Sequence, residues 1–483
     1  MEILEDTNWD LIISGTGLRR SLLSLALSRS NKKILHIDPN PYYGDTDAAL
    51  SLDEVKNWVD KYRGPEHDTF RNACLQETNK SDDLAKIFPS RSYTLTLSPF
   101  IIYSKSNLLS KLISSNAYRQ LEFQAVGNWW IIDSVNAEQK LQKIPNGRED
   151  IFQDNTIDNR SKRNLMKFLR FVMDYENQIN IWKAYSEKPL HDFLSSQFSI
   201  PSNLQKVIAG LTLTLNTPDQ TVVSWALPRI FKHLSSIGTL GPFCAVVSKW
   251  GCGAEISQIA CRAGAVGGTI YMLGTGIEAH NSSKNCQGLL EVRLTNGCVV
   301  KTKHLLPDPA KINENSLFVS RLIAITTSSY QNLLKSNVDG TPPPAVVVVV
   351  FPSGSLIDKC STTYKYPVYI MIHSSDTGEC PDGQYLLYAT TLSKVNSKNI
   401  LETALIQLSK HASNSDGIIL YSLYYEFSNK SNDVRQSHDP HEQHVDLAFD
   451  DKVINEVEAE WQEIMGSDGK SETFMNFDDR DSS

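Results

Sequence analysis

The chain has 483 residues, 41% of them hydrophobic and 21% charged, which describes a globular protein large enough for two or three hydrophobic cores. No apolar run approaches the roughly 18 residues that cross a bilayer, and the acidic start Met1-Glu2-Ile3-Leu4-Glu5-Asp6 and the end Arg480-Asp481-Ser482-Ser483 read as neither a secretory leader nor a prenylation box. The net charge of −8 is concentrated at one end: from Asp446 onward there are 12 acidic and 3 basic residues, so the body is close to neutral and general nucleic-acid binding is excluded.

The chain opens on Asp10-Leu11-Ile12-Ile13-Ser14-Gly15-Thr16-Gly17-Leu18-Arg19-Arg20, then Lys33-Ile34-Leu35-His36-Ile37-Asp38. A buried strand over Leu11 to Ser14 is predicted to run into a glycine turn. A helix with Leu18, Leu22, Leu23, Leu25 and Ala26 on its packing face follows, and a second strand over Ile34 to Ile37 ends in an acid. That is the order of a dinucleotide-binding βαβ unit, but its third glycine is replaced by Arg20. Arginine there is expected to prop the helix away or to reach into the phosphate space, so the fold signal outlives the cofactor signal and no cofactor is expected. His36, inside a strand, reads as a core histidine.

Asn40-Pro41-Tyr42-Tyr43-Gly44 is a turn, residues 51–63 a helix with Leu52, Val55, Trp58 and Val59 on one face, and residues 64–92 polar and broken. From about 105 the pattern becomes helical: Leu108, Leu109, Leu112 and Ile113; Leu165, Phe168, Leu169, Val172 and Met173; Leu204, Val207, Ile208 and Leu211; then Val222, Trp225, Ile230, Phe231 and Leu234 up to Gly238. Trp129 to Ile132 and Leu141 to Ile144 read as a short hairpin. The α/β texture returns near 241, with a hairpin around Asn296-Gly297, an apolar and therefore central strand at Ala345 to Phe351, and strands at Val368 to His373, Tyr385 to Thr391 and Ile418 to Phe427. Val453, Ile454, Val457, Trp461 and Ile464 make one amphipathic helix in the acidic tail. The fold class is therefore α/β, a flavoprotein-like doubly wound domain with a mixed sheet (1–104 and 241–450), plus an inserted mainly helical domain (105–240) and a tail (451–483) whose one helix docks.

No nucleophile elbow, HExxH pair or P-loop is present. The eight cysteines (74, 244, 252, 261, 286, 298, 360 and 380) form no CxxC pair, which fits the reduced thiols of a cytosolic protein and argues against a zinc site, so no metal is expected. The second informative stretch is Lys249-Trp250-Gly251-Cys252-Gly253-Ala254-Glu255-Ile256-Ser257-Gln258-Ile259-Ala260-Cys261-Arg262, continuing through Gly267-Gly268-Thr269. A glycine turn leads into a helix of small residues that another backbone can approach closely. Glu255, Gln258 and Arg262, at i, i+3 and i+7, share one face.

Three blocks of residues carry a resemblance to the Rab GDP-dissociation-inhibitor and Rab-escort superfamily. They are Gly15-Thr16-Gly17-Leu18 with Ile34 through the Tyr42-Tyr43-Gly44 turn, Arg163-Asn164-Leu165-Met166-Lys167-Phe168-Leu169, and Gly253 through Arg262 to Gly267-Gly268-Thr269-Ile270-Tyr271-Met272-Leu273. Within that superfamily Trp58-Val59-Asp60-Lys61-Tyr62, Asn146-Gly147-Arg148-Glu149-Asp150-Ile151-Phe152 and Leu165 to Leu169 are more similar to the escort branch. Two positions depart from the pattern: the family's Gly-Gly after the tyrosine pair is Gly44-Asp45 here, and Ala254 is inserted before the glutamate.

The resemblance implies a flavoprotein-like fold that holds no flavin and a Rab-binding platform made of Tyr43, Glu255, Gln258 and Arg262. It implies as partners GDP-bound Rab GTPases and the Rab geranylgeranyltransferase heterodimer, in the cytosol, with transient membrane association through prenylated Rab. The chain itself is then a non-catalytic accessory subunit. A geranylgeranyl chain, at about 0.8 kcal/mol per buried CH₂, must be sheltered from water. The helical region is the place for an apolar groove: Phe100, Leu108, Leu109, Leu112 and Ile113 are candidates to take the GTPase's C-terminal segment, and Phe168 and Phe171 either line the lipid site or belong to the core. Two other readings are a GDP-dissociation inhibitor, which only extracts prenylated Rab, and a flavin or NAD oxidoreductase built on Gly15, Gly17 and Asp38.

Overall fold

The computed structural model describes residues 2–78, 86–135, 138–145, 147–281, 288–307, 317–336, 340–357, 361–412, 417–428, 447–470 and 472–477. Cys286, Cys360, Asn146, Asp446 and the last residues of the acidic tail, 478–483, lie outside that set.

The dinucleotide-type unit forms as its sequence predicts. Strand Asn8–Ser14, helix Leu18–Leu27 and strand Ile34–Asp38 make a parallel βαβ unit. It sits in a six-stranded sheet in the spatial order Ile270–Leu273, Ile34–Asp38, Asn8–Ser14, Val299–Leu306, Leu290–Leu294, Ile277–His280. The first four strands are parallel and the last two antiparallel. Alternate residues serve opposite faces: Leu11 and Ile13 pack with Leu18, Leu22 and Leu23 of the helix, while Ile12 packs with Leu35, Ile37 and Val292 beneath the sheet. His36 is buried, and its Nε2 is 2.7 Å from the Gly15 carbonyl. Trp9 and His36 are both buried.

A ten-stranded sheet carries the rest of the α/β body. Its apolar strand Val346–Phe351 is fully buried and interior, antiparallel to Val368–His373 and parallel to Phe123–Val135. Helix Ser397–Ala412 covers one face through Ile400, Leu401, Ala404, Leu405 and Leu408. The segment expected to be polar and broken contains an edge strand, Phe70–Glu77, paired with Ile419–Ser428. No strand alternation marks it in the sequence, because its buried residues, Phe70 and Ala73, are three apart, with Leu75 only partly buried and Gln76 and Glu77 exposed.

The helical insert is narrower than the expected 105–240. Helices Arg148–Gln153, Asn159–Val172, Leu190–Phe198, Ser202–Leu211 and Val223–Ser236 share one core, in which Phe168, Phe171, Phe193 and Phe198 pack ring against ring. Residues before about 145 belong elsewhere. Strand Phe123–Val135 is laced into the ten-stranded sheet between Val346–Phe351 and Ala245–Ser248, and its hairpin partner is Glu138–Lys143. Helix Asn107–Ser114 buries Leu108, Leu109 and Leu112 in the core of the βαβ unit.

The tail helix Lys452–Met465 docks on helix Leu18–Leu27, burying Ile454, Val457, Trp461 and Met465. Its acidic face meets two arginines: Arg19 is 2.6 Å from Glu456 and 2.8 Å from Glu460, and Arg20 is 3.2 Å from Glu460. Arg20 therefore neither props the helix off its strand nor enters the phosphate space; it points outward and is drawn to the carboxylates of the tail.

Two buried histidines give the fold an acid-sensitive core. Burial holds both His36 and His233 down at about 4 against an ordinary 6.5; His233 lies edge-on to Trp129 and Tyr103. The unfolded chain binds these protons first, so their contribution is complete above pH 6.5 and is lost as pH falls toward 4, by up to about 1.4 kcal/mol per pH unit for each group. Thermal midpoints measured from pH 7 to pH 4 should fall more steeply for the parent chain than for His233→Gln; parallel curves would exclude His233 as a source of acid lability.

Candidate binding platform and the closed nucleotide pocket

The glycine turn that should receive a pyrophosphate is filled by the chain itself. Gly15, at φ 87°, donates its N–H to the Ile37 carbonyl at 2.8 Å. Thr16 donates both its N–H and its hydroxyl to Asp38 Oδ2, at 2.7 and 2.6 Å. The other carboxylate oxygen of Asp38 accepts the Asn40 N–H at 2.7 Å. The acid that would hold a ribose is thus fully buried and already hydrogen-bonded, with burial raising its pKa against those bonds.

The turn after the tyrosine pair closes the remaining space. The Gly44 N–H donates to Thr16 Oγ1 at 3.0 Å, and Asp47 Oδ2 accepts the Leu18 N–H at 3.2 Å, at the N-terminus of helix Leu18–Leu27. A Cβ on Gly17 would lie 3.6 Å from the Asp45 Cβ and 3.8 Å from the Gly44 carbonyl oxygen, so residues 44–47 stand where phosphates would approach the helix. Desolvation pushes the Asp47 carboxyl up to about 6. Gly44, at φ 100°, is obligatory, because a Cβ there would meet the Ala48 Cα at 2.9 Å. Asp45, at the second glycine position of the pattern, adopts the same left-handed region at φ 46°, which aspartate tolerates better than most residues. These residues do not fit a dinucleotide. The obstacle is the 44–47 turn rather than Arg20.

The same turn carries Tyr43 close to Cys261 of the small-residue helix, Gly253–Val266. The Tyr43 ring meets Tyr271 edge-on at 6.2 Å, and Tyr271 in turn lies 4.9 Å from His36 and pairs its hydroxyl with Ser24 Oγ at 2.6 Å. Helix Gly253–Val266 lies close against helix Leu18–Leu27, with Ser21 Oγ 3.2 Å from Cys261 Sγ. Its small residues are required there: a Cβ on Gly264 would come within 2.4 Å of the Tyr271 hydroxyl and 2.5 Å of Ser24 Oγ, and one on Gly267 within 1.9 Å of the Ser28 carbonyl oxygen. Ala254, the inserted residue, is buried in the helix's first turn. The outer face presents Glu255, half-buried and raised in pKa by that burial, with Gln258 and Arg262 exposed. None of the three has a hydrogen-bond or ion-pair partner among the described residues.

The seven groove candidates do not form one groove. Leu108, Leu109 and Leu112 are core residues shared with the tail helix, whereas Ile113, on the same helix, is 59% exposed. Phe100 is half-buried between Phe449, 5.8 Å away, and the N-terminus of the small-residue helix, where it would touch a Cβ on Gly253. Phe168 is wholly inside the insert's separate core. Phe171, in that same core, also lines an open cleft of about 630 Å³ with Met166, Ile181, Phe198 and Phe152. Lys162, Arg163, Lys167 and Arg170, with Gln178 and Gln197, make the polar part of its wall. The cleft was not legible beforehand, since Phe152 and Ile181 lie outside the helix that carries Met166, Arg170 and Phe171.

The family described as GDP dissociation inhibitor matches residues 5–466. A protein of Saccharomyces cerevisiae named Rab proteins geranylgeranyltransferase component A is 32% identical over 388 residues, which cover 79% of this chain and 61% of that protein. The chain thus spans about three-fifths of that relative's length. Among solved structures, a Rab GDI from Plasmodium falciparum superposes with a TM-score of 0.64 over 95% of this chain and 98% of its own at 18% identity. An oxidoreductase from Methanosarcina mazei gives 0.55 over 86% and 87% at 11% identity. Both share the fold. Among the described residues no helix is long and apolar enough to cross a membrane.

Thr16 is the junction of the closed pocket. Thr16→Val removes the hydroxyl shared by Asp38 and Gly44 and should lower stability by about 1–3 kcal/mol. Urea denaturation checks this, and an unchanged midpoint would mean that the hydroxyl is dispensable.

Proposed function

The chain belongs to the GDP dissociation inhibitor family, and from that membership we propose that it acts as an escort for Rab GTPases: it binds the GDP-bound form, presents it to the geranylgeranyltransferase heterodimer and carries the prenylated product to a membrane. One observation carries this reading above the others. The loop that closes the nucleotide pocket also sets Tyr43 against Tyr271 and near Cys261 of the helix whose outer polar groups, Glu255, Gln258 and Arg262, are unengaged among the described residues. A scaffold that has filled its own cofactor site and kept an open polar face is suited to gripping a protein surface. The reading assigns no catalytic step to this chain and locates it in the cytosol. It favours escort over simple extraction because the 32% identical relative is named as a component of a geranylgeranyltransferase.

The lipid goes, in this reading, to the cleft of the helical insert. Its apolar residues Met166, Phe171, Ile181 and Phe198 shelter methylene groups, and the lysines and arginines around them keep the outside wetted. Ile113 and Phe100 remain candidates for the GTPase's C-terminal segment, and Leu108, Leu109 and Leu112 support them from the core.

Two experiments test the halves of the proposal. In a reconstituted mixture of chain, GDP-bound Rab, transferase heterodimer and labelled geranylgeranyl diphosphate, Tyr43→Ala with Arg262→Glu should weaken Rab binding by at least 2 kcal/mol, on the order of thirtyfold, and depress lipid incorporation accordingly. Undiminished incorporation would remove the platform assignment. Incorporation that never depends on the chain, together with intact extraction of prenylated Rab from membranes, would make it an inhibitor instead. Met166→Trp, which fills the cleft, should spare binding of unprenylated Rab but abolish retention of the prenylated form; equal retention by parent and variant would put the lipid elsewhere.

A further inference from the structure

The turn that leads into the platform helix is tied to the ten-stranded sheet by a buried cluster that the function above does not use. Cys252 stands at the head of helix Gly253–Val266, His373 ends strand Val368–His373, and Glu379 follows the turn Ser375–Thr377. All three are buried, and one ligating atom from each lies within 4.8 Å of the other two. Atoms bound to a tetrahedral zinc stand roughly 3.3–3.8 Å apart, so donors that lie within 4.8 Å of one another need only small adjustments to close on a cation.

Hydrogen bonds already gather two of the three donors. His373 Nδ1 is 2.6 Å from Glu379 Oε2, and the proton between them is the one a cation would displace to bind Nδ1 and the carboxylate together. Glu379 is held in place by Tyr388 Oη at 3.2 Å and Thr96 Oγ1 at 3.3 Å. Cys–His–carboxylate is a donor set that suits Zn²⁺, with one position of the tetrahedron left over.

We propose that Cys252, His373 and Glu379 form a binding site for one zinc ion that pins the turn preceding the platform helix to the central sheet. That turn needs pinning. Trp250, Gly251 and Cys252 all have positive φ, at 61°, 125° and 52°, unfavourable for the two non-glycine residues. The Trp250 indole covers Gly378, where a Cβ would come within 2.4 Å of it, and the Trp250 N–H donates to the Thr377 carbonyl at 2.9 Å. Zinc would displace the Cys252 proton and neutralise a carboxylate that lies in a dry interior. The spacing of the cysteines hid the site, because its ligands come from positions 252, 373 and 379.

The test uses the untagged full chain, stripped with a chelator, incubated with zinc sulfate, gel-filtered and analysed for metal. One zinc per chain is expected, and Cys252→Ser and His373→Gln should each weaken uptake by at least about tenfold. Cobalt loading of the parent chain gives a second readout that needs no variant to fold: a thiolate-to-cobalt charge-transfer absorption. Absence of that absorption, or zinc content equal in the parent and a folded Cys252→Ser chain, would overturn the site. Neither readout involves a GTPase, so the result stands apart from the escort reading.

Discussion

The structure depends on how the chain satisfies the N-terminus of its first long helix. Free N–H groups and a helix dipole at that point demand an acceptor, and a nucleotide phosphate is the usual answer in this fold. Here the acceptor is Asp47, delivered by a turn whose own backbone is anchored through Thr16 to Asp38. Once the 44–47 turn lies there, the ligand pocket no longer exists and the preceding residue, Tyr43, is carried to the protein surface beside Tyr271.

Closure of the pocket also explains why the neighbouring helix is made of small residues. Helices Leu18–Leu27 and Gly253–Val266 approach until Gly264 and Gly267 have no room for a side chain. The close contact makes the pair rigid and leaves Glu255, Gln258 and Arg262 to face outward from a fixed backbone. Rigid presentation lowers the conformational entropy lost on association, which matters for an interface built on a few polar groups. The tail helix braces the other side of the same element through Trp461 and the Arg19–Glu456 and Arg19–Glu460 pairs, so the acidity of that segment has an internal counterpart.

Polar and apolar tasks fall on different cores. The α/β body packs its hydrophobic cores against its two large sheets, whereas the insert has an aromatic core of its own with an open cleft of about 630 Å³ beside it. A cavity large enough for a lipid would weaken a sheet that must hold the platform still. In a separate helical core, the side chains around such a cavity can move without disturbing strand pairing.

Local sequence was enough for whatever short-range periodicity controls. The Leu11–Ile13 strand, the leucine face from Leu18, the Val346–Phe351 strand, the Asn296-Gly297 hairpin and the docking face at Val457 and Trp461 are all legible because burial on one or both faces leaves a period in the chain. The polar face of Glu255, Gln258 and Arg262 is legible for the same reason. Long-range pairing is not. Nothing within residues 70–77 announces an edge strand, nothing near 123–135 says that this strand runs beside Val346–Phe351, and no local pattern separates the core leucines 108, 109 and 112 from exposed Ile113. Arg20 shows the limit most plainly: its place in the motif suggested an intrusion into the phosphate space, but side chains follow the nearest favourable charge, and the tail that supplies it lies some 440 residues away in the chain. The sequence by itself determined the nucleotide-type unit, its spoiled third glycine and the polar helix face. Only the tertiary structure decided that the 44–47 turn closes the pocket, that the cleft lies between Phe152, Met166 and Ile181, and that Cys252, His373 and Glu379 meet, because each depends on residues that become neighbours only when the sheets are assembled.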